Sequence, residues 1–133
     1  MRLEERIEEL RATLDELAEA NLTKPILVEG KRDVEALREL GCLGEILVLH
    51  AGDHIIEVAD RIARTHREVV LLTDWDRKGG QLARLVQDNL RGRVKLDTEL
   101  RKRLARFAAV KDVESLPSHL RMLERELAER VRT

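Results

Sequence analysis

The feature that most constrains this chain is a unit used three times, a short apolar run followed by a segment with helical spacing. The runs are "PILVE" at 25–29, "EILVLH" at 45–50 and "EVVLLT" at 68–73. Each is short, rich in Val, Ile and Leu, and bounded by turn residues, so each reads as a buried strand. After the first, Val34, Leu37 and Leu40 form a helical face that Gly41 or Gly44 stops. After the second, Asp53 is placed to cap a helix carrying Ile55, Val58, Ala59 and Ile62 on one side. After the third come Leu82, Leu85, Val86 and Leu90. "RVKL" at 93–96 reads as a shorter fourth strand. Two more helices follow, one capped by Asp97 or Thr98 and the last striped by Leu116, Leu120, Leu123, Leu127 and Val131. Continuous apolar strands alternating with amphipathic helices predict a parallel sheet covered on both faces. Ahead of these units, Leu3, Ile7, Leu10, Leu14 and Leu17 make one helical stripe. It spans under three heptads, which favours packing on the chain's own core over a homodimer seam.

The 133 residues suit a single domain, 1–133, and the 43% hydrophobic content supports one core. Aromatics are 2% of the chain, so base stacking on an aromatic platform is disfavoured. Net charge is −1, but residues 91–111 carry eight bases against two acids, a local +6 that reads either as a solvated face or as a phosphate-facing surface. The lone Cys42 excludes an internal disulfide framework and a cysteine zinc site. No stretch approaches the roughly 20 apolar residues of a membrane span, so a reducing, cytoplasmic location is the default expectation.

The chemistry is concentrated where strands end. The first run ends in Glu29-Gly30, and the third in "DWDRKGG", with Asp74 and Asp76 separated by Trp75. Sites in parallel α/β sheets lie beyond the carboxyl ends of strands, where strand order reverses. A strand order of 2-1-3 would bring Glu29, Asp74 and Asp76 to one crevice. Carboxylates held together repel one another, and a divalent cation removes that conflict. Oxygen-only ligands favour a hard ion, Mg2+ with Mn2+ tolerated, whose shell substrate phosphate would complete. Gly30 and Gly79 at helix starts, with Lys31, Arg77 and Lys78 beside them, are candidate phosphate-binding residues. Asp33 fits either an exposed first-turn acid or a partner that orients Lys31 or a metal-bound water. Trp75 should point away from the aspartates as a packing residue. The histidines lack a metal-binding spacing; His50 could border the crevice, but a packing role is favoured.

"VEGKRD" at 28–33 and "TDWDRKGG" at 73–80, in that order with one strand–helix unit between them, resemble the Toprim domain. The closest likeness is to small stand-alone archaeal Toprim proteins, whose C-terminal part "KDVESLP" at 111–117 also resembles. The resemblance implies a four-stranded parallel, Rossmann-like α/β sheet as a core at 22–100, with an N-terminal helix at 1–21 and a helical extension at 101–133. It also implies that Glu29 is a metal ligand or general acid/base and that Asp74 and Asp76 bind metal. The activity class it implies is Mg2+-dependent chemistry on nucleic-acid phosphodiester bonds. With no Tyr in the chain, a tyrosyl–DNA intermediate cannot form within it. The remaining expectation is nuclease-like phosphoryl transfer, or alternatively a metal-dependent RNA- or DNA-binding module working with a partner protein. Haloacid-dehalogenase phosphatases also use Asp-x-Asp after a strand, but here the pair follows the third strand, and Lys78 stands where Thr or Val is normal.

Overall fold

The computed structural model of the chain describes residues 1–49 and 54–133. Helix α1 (Leu3–Ala20) precedes strand β1 (Ile26–Val28), α2 (Lys31–Glu39), β2 (Ile46–Val48), α3 (Ile55–Thr65) and β3 (Glu68–Leu71). Helix α4 (Arg77–Leu90), β4 (Lys95–Asp97), α5 (Glu99–Phe107) and α6 (Leu116–Arg132) complete the order. The four strands form one parallel sheet in the order β2-β1-β3-β4. The expected α/β architecture, with a parallel four-stranded sheet between helices, is therefore the fold.

Strand alternation divides the core in two. Ile26, Val28, Val70 and Leu72 point to one face, where they meet Ile7, Leu10, Leu14 and Leu17 of α1, Leu37 of α2, Leu104 of α5 and Leu116 of α6. Leu27, Val69 and Leu71 point to the other, against Val58 and Ile62 of α3 and Ala83, Val86 and Leu90 of α4. Both faces of β1 are covered, so all three of its residues are apolar and buried. The α1 stripe lies on this chain's own core, as its short length favoured. Each fully buried Leu or Ile there contributes about 1.5–3 kcal/mol by leaving water.

Some local expectations change. Strand β2 is half-buried, because it occupies a sheet edge and has a neighbour on one side only. At the start of α5, Thr98 stands at the cap position without a side-chain bond, while the Asp97 carboxylate accepts the Glu99 N–H at 3.0 Å. His50 and Asp53 lie outside the described residues. Cys42 is fully buried, and desolvation pushes its thiol up to about 11, the behaviour of a small hydrophobe. No helix among the described residues is long and apolar enough to cross a membrane.

The connections locate the site. The chain steps from β1 outward to β2, then passes back over β1 to β3 and on to β4. Helix α2, after β1, packs on one core and α4, after β3, on the other. The carboxyl ends of β1 and β3 are thus the point where successive helices depart to opposite faces, leaving a crevice between them.

Candidate metal site

Backbone pairing between β1 and β3 sets the positions of the acids. The Val70 N–H donates to the Pro25 carbonyl and the Leu72 N–H to the Leu27 carbonyl, both at 2.9 Å. The next rung of that ladder would join Asp74 to the Glu29 backbone. Instead the Asp74 N–H donates to Oε2 of the Glu29 side chain at 2.7 Å. The sheet thus ends in a carboxylate clamped between the two strands.

The two aspartates are held the same way, each by one backbone N–H. Oδ1 of Asp74 accepts from the Val113 N–H at 3.0 Å, and Oδ1 of Asp76 accepts from the Gly79 N–H at 2.7 Å, capping α4. The remaining oxygens, Oε1 of Glu29 and Oδ2 of Asp74 and Asp76, make no hydrogen bond among the described residues. Among those residues no group of three or more acid, His or Cys side chains is arranged to hold a metal ion. By donor chemistry alone, carboxylate oxygens suit a hard cation that takes one or two carboxylates and fills its shell with water and phosphate.

The acids are electrostatically crowded. Asp74 is pushed from 3.8 to about 6, first by burial and then by the charges of Glu29, Asp112 and Asp76, against the pull of the Val113 N–H. Asp33 is likewise raised to about 6, first by burial and then by Asp74. It is not the exposed first-turn acid. Only 6% of its surface is accessible, and its Oδ2 accepts the Gly30 N–H at 3.0 Å while the Asp33 N–H donates to the Gly30 carbonyl at 3.2 Å. This reciprocal pair fastens the start of α2 next to Glu29.

The glycines serve the geometry in a way their spacing alone did not reveal. A Cβ on Gly79 would lie 2.0 Å from the Asp74 carbonyl oxygen, so α4 approaches that backbone at a distance only glycine allows. The amides of Gly79 and Gly30 already have carboxylate partners in Asp76 and Asp33. Lys31, Arg77 and Lys78 are exposed, and none of them is in an ion pair among the described residues. Trp75 packs against the α1-side core, as expected of a residue alternating with the aspartates.

Two contributors escaped the sequence reading as individuals. Arg101 of α5 donates from Nε to the Thr73 carbonyl at 2.8 Å and from Nη2 to the Asp74 carbonyl at 2.6 Å. Burial lowers its guanidinium pKa, while Glu29, Asp74 and Asp76 pull it back up. Only its place in the basic 91–111 stretch hinted at this. The second contributor is the 110–113 segment. The Trp75 N–H donates to the Lys111 carbonyl at 3.0 Å, the Trp75 indole N–H donates to the Val110 carbonyl at 2.7 Å, and Val113 supplies the Asp74 donor. The sequence signal was "KDVESLP" itself, without an assigned role.

Comparison with known proteins agrees with this fold. The chain is 39% identical over 124 residues to a UPF0292 protein of Methanocaldococcus jannaschii, covering 90% of this chain and 96% of that one. It is 37% identical over 109 residues to a UPF0292 protein of Thermoplasma volcanium, covering 80% and 92%. A solved structure of a protein from Aquifex aeolicus superposes with a TM-score of 0.69 at 26% identity, covering 78% of this chain and 94% of that one. The Toprim domain family matches residues 24–109, which include Glu29, Asp74, Asp76 and Arg101. That match ties the chain to a metal-dependent, nucleic-acid-related role. With the acids at the ends of β1 and β3 and small archaeal relatives matched over nearly their whole length, this chain belongs to the Toprim domain family.

Proposed function

We propose that the chain acts on nucleic-acid phosphodiester bonds by Mg2+-dependent, nuclease-like phosphoryl transfer. The observation that carries this reading is the alignment of Glu29, Asp74 and Asp76 at the sheet's switch point, each by one backbone N–H with its second oxygen unspent among the described residues. Toprim domains generally bind Mg2+, and the donor set here suits that ion or Mn2+. When bound, the ion supplies Lewis-acid stabilisation of charge on the phosphoryl oxygens. Asp74 and Asp76 hold it. Glu29 either completes its shell or takes the proton of the attacking water. Lys31, Arg77 and Lys78 meet phosphate oxygens, and Arg101 fixes the backbone under Asp74 while offsetting the crowded negative charge.

A second reading is a non-catalytic, metal-dependent RNA- or DNA-binding module that works with a partner protein. The exposed cations Lys31, Arg77 and Lys78 next to the acids would serve it as well as catalysis. One assay separates the two. The protein is incubated with structured RNA, single-stranded DNA and duplex DNA in Mg2+, Mn2+ or EDTA, beside Glu29→Gln and Asp76→Ala. Metal-dependent product from the parent, lost in both variants, is the expected result. Equal product from parent and variants would sink the assigned site, and no product under any condition would leave the binding module.

A further inference from the structure

Beside the acids, where α4 passes Arg101 of α5, runs an open groove of about 430 Å3. Gly80, Arg84, Gln87 and Arg91 line it at spacings of four, three and four residues, one continuous stripe of α4 and its C-terminal cap. From Gly80 to Arg91 the helix advances about 16 Å, about five nucleotides at the spacing of a duplex strand. Three arginines face one acid, Asp88, whose 3.3 Å pair with Arg91 is solvent-exposed and weakly held.

Arg101 joins this groove to the acids. Its Nε and one Nη2 hydrogen are taken by the Thr73 and Asp74 carbonyls, and among the described residues its other three N–H groups are left for an anion in the groove.

Gly80 points the same way. Unlike Gly79, it has nothing within 4 Å of where a Cβ would stand, so packing does not require glycine there. Glycine inside a helix weakens it. The residue keeps the end of the groove nearest the acids clear.

We propose that this groove carries the sugar–phosphate backbone of a nucleic-acid strand to the carboxylate site, with Arg84, Arg91 and Arg101 as phosphate contacts and Gly80 as the clearance beside them. The inference rests on the phosphodiester reading given above and adds the path of the strand. Among the described residues no aromatic side chain lines the groove, so binding is by backbone charge and insensitive to base sequence.

The test is fluorescence anisotropy with fluorescein-labelled single-stranded DNA, single-stranded RNA and duplex DNA, in EDTA, over about 50–200 mM salt. For a single strand meeting three arginines the log–log salt slope should be about −2, and each arginine removed should reduce it by about 0.7. Arg84→Glu with Arg91→Glu should weaken binding at least about tenfold. Gly80→Glu, which places a carboxylate in open space, should weaken it similarly without disturbing packing. Arg130→Glu with Arg132→Glu, both exposed on α6, makes the same net-charge change as the double groove variant and should stay within about twofold. Equal losses in the double groove variant and this α6 control would overturn the groove, as would a parent protein that binds none of the probes. Asp76-dependent cleavage that ignores the groove substitutions would sink this inference alone. Groove-dependent binding without Asp76-dependent cleavage would sink the catalytic reading alone.

Discussion

Gly79 and Gly80 are adjacent in α4, and the same substitution should move stability in opposite directions at the two. In Gly79→Ala the new Cβ would stand 2.0 Å from the Asp74 carbonyl oxygen and 2.5 Å from its carbon. These are backbone atoms, pinned by Arg101 on the carbonyl and by Glu29 on the N–H, so no side-chain rotation relieves the clash. Overpacking of this kind costs about 1–3 kcal/mol, and the upper part of that range applies where backbone must move. The helix gains about 0.5–1 kcal/mol from exchanging Gly for Ala, leaving a net loss of about 2 kcal/mol. Gly80→Ala meets nothing within 4 Å and keeps the helix gain of about 0.5–1 kcal/mol. With about 2.1 cal/mol/K of unfolding entropy per residue, these values become a Tm about 7 °C lower for the first and about 2–4 °C higher for the second. Calorimetry of both variants and the parent in EDTA measures this directly. Because the clash displaces Asp74, the first variant should also lose any metal-dependent activity. Shifts of the same sign and size at both positions would refute the close approach of α4 to the Asp74 backbone.

Three further expectations follow from the crowded acids and from Trp75. Asp74 has its folded pKa raised from 3.8 to about 6, so the stability it contributes is full below the unfolded value and lost as pH rises through about 6. In EDTA, Asp74→Asn should therefore be more stable than the parent by at most about 3 kcal/mol at pH 7.5, shrinking to about 1 kcal/mol at pH 4.5. Urea denaturation at the two pH values measures it, and a pH-independent difference would contradict the raised pKa. Trp75 is the only Trp in the chain and stands between the two aspartates, so Mg2+ titration should change its fluorescence in a saturable way. The change should vanish in Asp76→Ala, and its persistence there would place the ion elsewhere. Trp75→Phe removes the indole donor to Val110 and should cost about 1–3 kcal/mol by leaving that carbonyl unpaired, read by the same denaturation.

Much of this arrangement was legible from the order of residues, for identifiable reasons. The core runs are continuous and apolar because β1 and β3 are covered on both faces, and Glu29, Asp74 and Asp76 stand out because each interrupts such a run at its end. The 2-1-3 strand order, which the sequence reading held only as a condition for joining the acids, is the order the sheet adopts. What stayed hidden depends on approach between distant elements. Arg101 is one of eight bases in its stretch, and only the packing of α5 selects it to meet the Thr73 and Asp74 carbonyls. Gly79 and Gly80 look alike in sequence and differ only in what lies across from them. Asp33 has the position of an ordinary first-turn acid, and its burial follows from the neighbourhood that α2 enters. The edge position of β2 likewise depends on what does not pair with it.

The strap at 110–113 has a consequence for anyone wishing to transplant this site. The family match ends at residue 109, yet the donor that orients Asp74 is Val113, and Trp75 is fastened to Val110 and Lys111. The unit that can be moved intact is thus longer than the domain boundary suggests. A chimera joined at 109 would inherit all three acids, the sheet and Arg101, but would leave Asp74 without its amide partner. The cut belongs beyond Leu116, which lies fully buried in the main core at the start of α6.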